Sequence, residues 1–274
     1  VSNDKLTRLR EILGELPSAI IAFSGGVDSS VLLWASNDVL REHAHAVTIC
    51  SPLTPPGDRE TACRVAHMLG VELTVLEIDL LKTPSIARNT EDRCYQCKKV
   101  IFRKIRSVAR RLGIEHVLEG SNADDLADFR PGRRASIEAG VRMPLQEAGL
   151  KKSEIRELAK QAGLETWARP SQACLASRIP FGVRLSPERL SRVATAEMVL
   201  TDMGFSGARL RDHHPVARIE VPESDLGRVL HPTIRTDLIR RIRDCGFPFV
   251  TLDLDGYRLG SLNPLQSTDV EGDV

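Results

Sequence analysis

Two sets of residues have the types and spacing to do chemistry. The first is Ser24-Gly25-Gly26-Val27-Asp28-Ser29-Ser30, which follows the apolar run Ile20-Ile21-Ala22-Phe23 and opens into Val31-Leu32-Leu33-Trp34. Adjacent glycines let the backbone turn and approach a ligand closely, so successive N–H groups converge on one point. That point suits a phosphate. The dipole of a following helix attracts it, Ser24, Ser29 and Ser30 offer hydroxyl donors, and Asp28 offers a carboxylate to Mg²⁺. The loop has no lysine, so it is not the G-x-x-x-x-G-K-[ST] phosphate loop. The second set is Cys94 and Cys97 at C-x-x-C spacing, with Cys174 as a third candidate. Thiols so spaced can ligate one metal or cluster edge, form a redox pair, or sit buried at a helix start. Three thiolates are few for structural zinc unless a histidine joins, but they suit a [4Fe–4S] cluster with one iron left open. For Cys174 alone the plain alternative is an inert core residue.

A third stretch, Gly120-Ser121-Asn122-Ala123-Asp124-Asp125-Leu126-Ala127-Asp128, follows an apolar strand. Gly120 permits close backbone approach, and Asp124, Asp125 and Asp128 offer the hard oxygens that Mg²⁺ on a triphosphate needs. The competing reading is a helix N-terminus with its acids favoured by the dipole.

The elements that position these residues alternate. Leu6, Leu9, Ile12, Leu13 and Leu16 lie at helical spacing before Pro17, and strands are predicted at 20–23, 46–50, 71–78 and 116–120. Helices are predicted at 58–69, 98–112 and 151–162, closed by Gly70, Gly113 and Gly163. Repeated βα units argue an α/β fold, a doubly wound parallel sheet whose ligand sits at the carboxyl ends of the strands. The pattern breaks near Pro170 to Pro187. Beyond it come a helix (187–203), strands (208–211 and 217–221), a helix (233–244) and a strand (249–254). That order predicts a smaller, mostly antiparallel α+β domain. The expected division is 1–169, an inter-domain segment 170–186 carrying Cys174, a small domain 187–265 and a loose polar tail 266–274.

The chain is 274 residues long, 42% hydrophobic and 27% charged, with a formal net charge of +1. Disorder and membrane spanning are poor fits to that composition, and the near-zero charge argues against a long nucleic acid as partner. Val1-Ser2-Asn3-Asp4-Lys5-Leu6 is polar, without an apolar signal core, so the expected location is the cytoplasm and the six cysteines are expected as thiols, ligands or catalysts.

The string Ser24-Gly25-Gly26-Val27-Asp28-Ser29 between strand and helix resembles the PP-loop of the ATP pyrophosphatases, which cleave ATP between the α and β phosphates and adenylate a substrate. More specific strings join it: Asp128-Phe129-Arg130-Pro131-Gly132, Glu138-Ala139-Gly140, Cys174-Leu175-Ala176-Ser177-Arg178-Ile179-Pro180-Phe181-Gly182, Ala217-Arg218-Ile219-Glu220 and Val250-Thr251-Leu252-Asp253-Leu254. Together, over residues 5–263, they resemble the LarE family, ATP-dependent sulfur transferases that build the nickel-pincer nucleotide cofactor.

The resemblance implies that Phe23, Ser24, Gly25, Gly26, Asp28, Ser29, Ser30, Gly120 and Asp124 bind ATP with Mg²⁺. The substrate would be pyridinium-3,5-dicarboxylate mononucleotide, adenylated on a carboxylate and then attacked by sulfur. The catalytic residues it implies are Asp28, Cys174, Ser177 and Arg178. Family members either sacrifice one cysteine or hold a [4Fe–4S] cluster on three. The C-x-x-C pair favours the cluster type, with Cys94, Cys97 and Cys174 as ligands, and Cys174 as sulfur donor is the alternative. Arg209 and Arg211, on one face of their strand, become contacts for the substrate phosphate; Arg130, Arg133 and Arg134 are further candidates to face phosphate, with an exposed basic cluster as the alternative for Arg133 and Arg134. Glu197 and Glu220 match acidic positions that collect metal in the family, although Arg228 stands where a further acid belongs. The implied partners are a sulfide source, the other enzymes of nickel-pincer nucleotide synthesis and further copies of the chain, with no nucleic acid and no membrane. Competing readings are a tRNA thiolase of the PP-loop class, an ammonia-using synthetase related to NAD synthetase, and an ATP-sensing iron–sulfur protein without catalysis.

Overall fold

The computed structural model describes residues 3–126, 131–170 and 173–258. Asp128, Phe129 and Arg130, and the tail 266–274, lie outside the described residues. The chain divides into two compact units, Val1–Cys174 and Leu175–Val274.

The first unit alternates as the sequence pattern requires. It runs α1 (Asn3–Gly14), β1 (Ala19–Ala22), α2 (Val27–Leu40), β2 (Ala44–Cys50), α3 (Asp58–Leu69), β3 (Glu72–Glu77), a short α4 (Pro84–Ala87), α5 (Arg93–Leu112) and β4 (His116–Glu119). Then follow α6 (Pro131–Glu138), α7 (Pro144–Glu147) and α8 (Lys152–Gln161). All four strands are parallel, in the order β3-β2-β1-β4. The period-2 alternation of each strand divides its side chains between two cores. Ile21, Ala46 and Leu118 face the core formed with α1, α2, α3 and α8, whereas Ile20, Val47 and Val117 face Phe102, Ile105 and Val108 of α5. Both faces are covered, which is the doubly wound arrangement expected from the sequence. Strand order reverses beside β1, so a crevice opens between the carboxyl ends of β1 and β4, where such sheets bind ligands.

Helix α5 begins five residues before the position predicted from its apolar spacing, so Cys94 and Cys97 lie in its first turns and not in a preceding loop. The core-facing positions of this helix start only at Ile101 and Phe102. The earlier turns face a cleft instead, so the apolar rhythm is silent there.

The second unit comprises α9 (Pro187–Asp202), β5 (Arg209–His213), β6 (Val216–Glu220), α10 (Leu226–Leu230), α11 (Pro232–Asp244) and β7 (Phe249–Leu252). Its three-stranded sheet has the order β5-β6-β7. β5 and β6 form an antiparallel hairpin, while β7 joins β6 in parallel after the α10–α11 crossover. A helical crossover returns the chain to the same end of the sheet, so the last pair is parallel where sequence order suggested antiparallel. Among the described residues no helix is long and apolar enough to cross a membrane.

Candidate functional site

The turn between β1 and α2 is held by its own hydroxyls. Ser29 Oγ accepts from the Ser24 amide at 3.3 Å and donates to the Gly26 carbonyl at 3.0 Å, and Ser24 Oγ lies 3.1 Å from Ser29 Oγ. Ser30, fully buried, donates to the same carbonyl at 2.9 Å. The N-cap of α2 is Gly26, and no side chain caps the helix. The first-turn amides are thus not capped from within, the state in which a helix N-terminus receives an anion.

Two glycines are required by space. Gly25 has φ +75°, and a Cβ there would sit 3.0 Å from the Asp58 carbonyl oxygen at the head of α3. Gly120 has no unusual φ, yet a Cβ would lie 2.8 Å from the Ser29 amide nitrogen. Any side chain at 120 would push the end of β4 off the start of α2 and spoil the crevice.

Asp28 projects from the first turn of α2. Its Oδ1 accepts from Asn122 Nδ2 at 3.3 Å, and its Oδ2 is paired with Lys152 Nζ at the start of α8. The predicted acids after β4 take different positions. Asp125 is buried, accepts from the Asn122 amide at 3.0 Å and lines the cleft. Asp124 is exposed and accepts from the Lys152 amide at 2.8 Å, at the head of α8.

This turn forms one wall of a cleft of about 490 Å³. Phe23, Ser24, Gly26, Asp28, Ser29, Gly120 and Asp125 line it, and so do Cys94, Cys97 and Cys174. Gly25 and Ser30 support the turn from behind. The nucleotide-loop and thiol candidates, read from separate parts of the sequence, therefore share one cavity. Arg93, only 3% exposed, donates to Asn89 Oδ1 and reaches Cys94 Sγ at 3.6 Å. Burial opposes its charge, but the neighbouring sulfurs of Cys174, Cys94 and Cys97 outweigh that and raise its pKa. Burial, with the neighbouring Cys174, pushes the Cys97 thiol up to about 12 against the opposing pull of Arg93. Among the described residues no three of His, Cys, Asp and Glu are gathered closely enough to hold a metal ion. The three thiols nevertheless fit a cluster with one open iron in kind and number, and the guanidinium supplies a countercharge.

In the second unit, Ser177 and Arg178 close a 3₁₀ turn, Leu175–Arg178, directly after Cys174 in sequence. Arg178 is fully buried and forks onto Glu197 at 2.9 and 3.0 Å while donating to Ser177 Oγ at 2.8 Å. Arg211 donates to Glu220 at 2.9 and 2.6 Å and to the Ser177 carbonyl at 2.9 Å, and Arg218 takes the other Glu220 oxygen at 2.9 Å. Arg209 donates to the Ala208 carbonyl at 2.8 Å. Its pKa is lowered, by burial first and by Arg178 second. Glu197 and Glu220, read as metal positions, thus carry arginines. Removing one partner of a buried pair strands the other's charge, at a cost of about 3–5 kcal/mol. Glu197→Ala is expected to lower unfolding stability by about that amount, measured by urea denaturation of the purified chain, and Glu188→Ala on the exposed first turn of α9 is expected to change it little.

Arg133 and Arg134 lie on α6, where Arg134 stacks over Tyr95 at 4.0 Å and pairs with Glu138 at 3.5 Å. Four polar residues of the first unit escaped the sequence reading: Asn122, Lys152, Lys98 and Glu119. Lys98 and Lys152 gave a signal, since each stands in the first turn of a predicted helix, where a lysine opposes the dipole and calls for another reason to be there.

A family model described as asparagine synthase matches residues 18–221. The pyridinium-3,5-bisthiocarboxylic acid mononucleotide synthase of Lactiplantibacillus plantarum is 36% identical over 260 residues, covering 94% of each chain. The chain belongs to the LarE family of PP-loop enzymes. An uncharacterized protein of Synechocystis sp. is 38% identical over 259 residues, 94% of this chain and 97% of its own. Beyond LarE, a subunit of the glutamine-hydrolyzing GMP synthase of Pyrococcus horikoshii is 24% identical over 220 residues, 73% of this chain and 68% of its own. Membership of the LarE family makes the chain an enzyme of the adenylating PP-loop class.

Proposed function

We propose that this chain adenylates the carboxylates of pyridinium-3,5-dicarboxylate mononucleotide with ATP and converts them to thiocarboxylates, a step toward the nickel-pincer nucleotide. The observation that carries the reading is the single cleft lined by both the phosphate turn and three thiols. A carboxylate is a poor electrophile, so it must first receive a leaving group, and a thiolate or sulfide is the competent nucleophile near neutral pH.

In the first half-reaction a substrate carboxylate oxygen attacks the α-phosphorus of ATP. The bond from that phosphorus to the bridging oxygen breaks, and pyrophosphate departs with the electron pair. The Gly26–Ser29 turn holds the phosphates, and Asp28 and Asp125 present the hard oxygens that would hold Mg²⁺, which neutralises phosphate charge when bound. In the second half-reaction sulfur attacks the acyl carbon, the carbon–oxygen bond to the phosphate breaks, and AMP leaves. Cys94, Cys97 and Cys174 would hold a [4Fe–4S] cluster, which supplies an iron open to a transferable sulfide. Arg209 and Arg211 of the second unit are the proposed contacts for the substrate phosphate, whereas Arg178 is fully buried on Glu197 and Ser177 Oγ and positions its own turn. The metal role implied for Glu197 and Glu220 is not part of the proposal.

Pyrophosphate release measured with ATP and each acceptor tests the reading. Release that depends on the pyridinium dicarboxylate mononucleotide, with a thiocarboxylate appearing when sulfide is supplied, supports it. Release that depends on tRNA overturns it.

A further inference from the structure

Lys98 lies between the two halves of the chemistry. It follows Cys97 in α5 and stands one turn after Cys94, while its ammonium donates to Glu119 Oε2 at 2.7 Å across the cleft floor. Glu119 ends β4, and the next residue, Gly120, abuts the Ser29 amide so closely that a Cβ would sit 2.8 Å from it. A continuous path therefore runs from the phosphate turn through Gly120 and Glu119 to Lys98 and on to the thiols. Both Lys98 and Glu119 line the cavity.

The lysine is held in place from outside the cleft as well. Its stem packs on Gly132 of α6, where a Cβ would meet Lys98 Cδ at 3.1 Å, and its ammonium reaches Ser136 Oγ at 3.1 Å one turn further along. Glu119 is confined: its side chain is 9% exposed, with Ser121 Oγ donating to its other oxygen at 3.2 Å. A carboxylate so withdrawn from water needs a countercharge, and Lys98 supplies it.

The reaction requires a negative group at this seam. A carboxylate oxygen must reach the α-phosphorus first, and sulfur must then reach the carbon of the same carboxyl group, so the carboxylate to be activated has to lie between the phosphate turn and the thiols. We propose that Lys98 is the binding residue for that carboxylate, and that Glu119 occupies the lysine in the free enzyme until the substrate's carboxylate competes for it. The inference rests on the reading given under Proposed function. It assigns recognition of the reacting group to a pair that otherwise looks like an ordinary structural ion pair.

The pair gives a test in which two substitutions act in opposite directions. Pyrophosphate release is measured against concentration of the pyridinium dicarboxylate mononucleotide for wild type, Lys98→Met, Lys98→Arg and Glu119→Gln, with ATP binding measured separately without acid. Lys98→Met is expected to raise KM for the acid about 10- to 100-fold, the worth of a hydrogen bond to a charged group, while ATP binding stays within about threefold. Glu119→Gln removes the competing charge and is expected to lower that KM. Lys98→Arg keeps the charge and is expected to recover part of the loss, which guards against a Met variant that merely folds poorly. Weakened ATP binding in Lys98→Met, or acid KM values that rise together in Lys98→Met and Glu119→Gln, would overturn the assignment while leaving the proposed function intact. Absence of acid-dependent pyrophosphate release in the wild type would overturn both.

Discussion

Cys174→Ser is expected to stop thiocarboxylate formation, by about 10³-fold or more, while leaving the first turnover of pyrophosphate release nearly unchanged. In the proposed reaction the two half-reactions use different walls of the same cleft. Adenylation needs the Gly26–Ser29 turn, Asp28 and the acid, and no thiol enters it. Sulfur transfer needs a group that gives up or carries sulfur, and a serine hydroxyl does neither. A single-turnover experiment that quantifies pyrophosphate and thiocarboxylate on the same sample reads both. Loss of pyrophosphate release together with thiocarboxylate would show that Cys174 instead builds the nucleotide site. Cys94→Ser and Cys97→Ser extend the result. If three thiols hold one cluster, each of the three variants loses the product and the iron together, read as iron and acid-labile sulfide in anaerobically purified protein. If Cys174 alone donates sulfur, Cys94→Ser and Cys97→Ser keep the product, and the spent wild type is lighter by about 34 Da, the mass of the lost hydrogen sulfide.

The sequence made the scaffold legible because its signals are local. Helix α3 begins and ends where its pattern and Gly70 say it should, and Ile20 and Ile21 divide between two cores as strand alternation requires. The start of α5 was less visible, since residues aimed into a cleft follow chemistry and not apolar rhythm. Functional pairings were hidden for a different reason. Asp28 and Lys152 are 124 residues apart, and nothing at either position announces the other. Asp124 and Asp125 are neighbours of equal character in sequence, but one caps α8 and the other enters the cleft. The direction of a 3₁₀ turn, Ala123–Leu126, decides between them. In sequence, Arg178 and Arg211 present themselves as ligand contacts, and the carboxylates that pair with them, Glu197 and Glu220, present themselves separately as metal positions. Spacing alone does not reveal that such charges face each other.

Lys152→Met is expected to slow pyrophosphate release about 10²- to 10³-fold at saturating ATP and acid, the cost typical of losing one group that stabilises developing charge. The phosphate turn carries no lysine, and the departing pyrophosphate gathers negative charge as the bond to the α-phosphorus breaks. Lys152 is a cation fixed to the first turn of α2: its ammonium pairs with Asp28, while its backbone amide donates to Asp124 at 2.8 Å. Asp28 would hold Mg²⁺, and the ammonium paired with it would then add its positive charge to the metal's at this end of α2. The predicted kinetic signature separates it from Lys98. Loss of Lys98 should appear in KM for the acid, because that residue is assigned to the bound carboxylate before any bond breaks. Loss of Lys152 should appear in turnover at saturation, because its stabilisation grows with the charge on the leaving group. Lys152→Arg, which retains the charge at a different reach, should recover part of the rate. A Lys152→Met enzyme with turnover within about threefold of wild type would reduce the residue to a structural partner of Asp28 and move the leaving-group role to another residue.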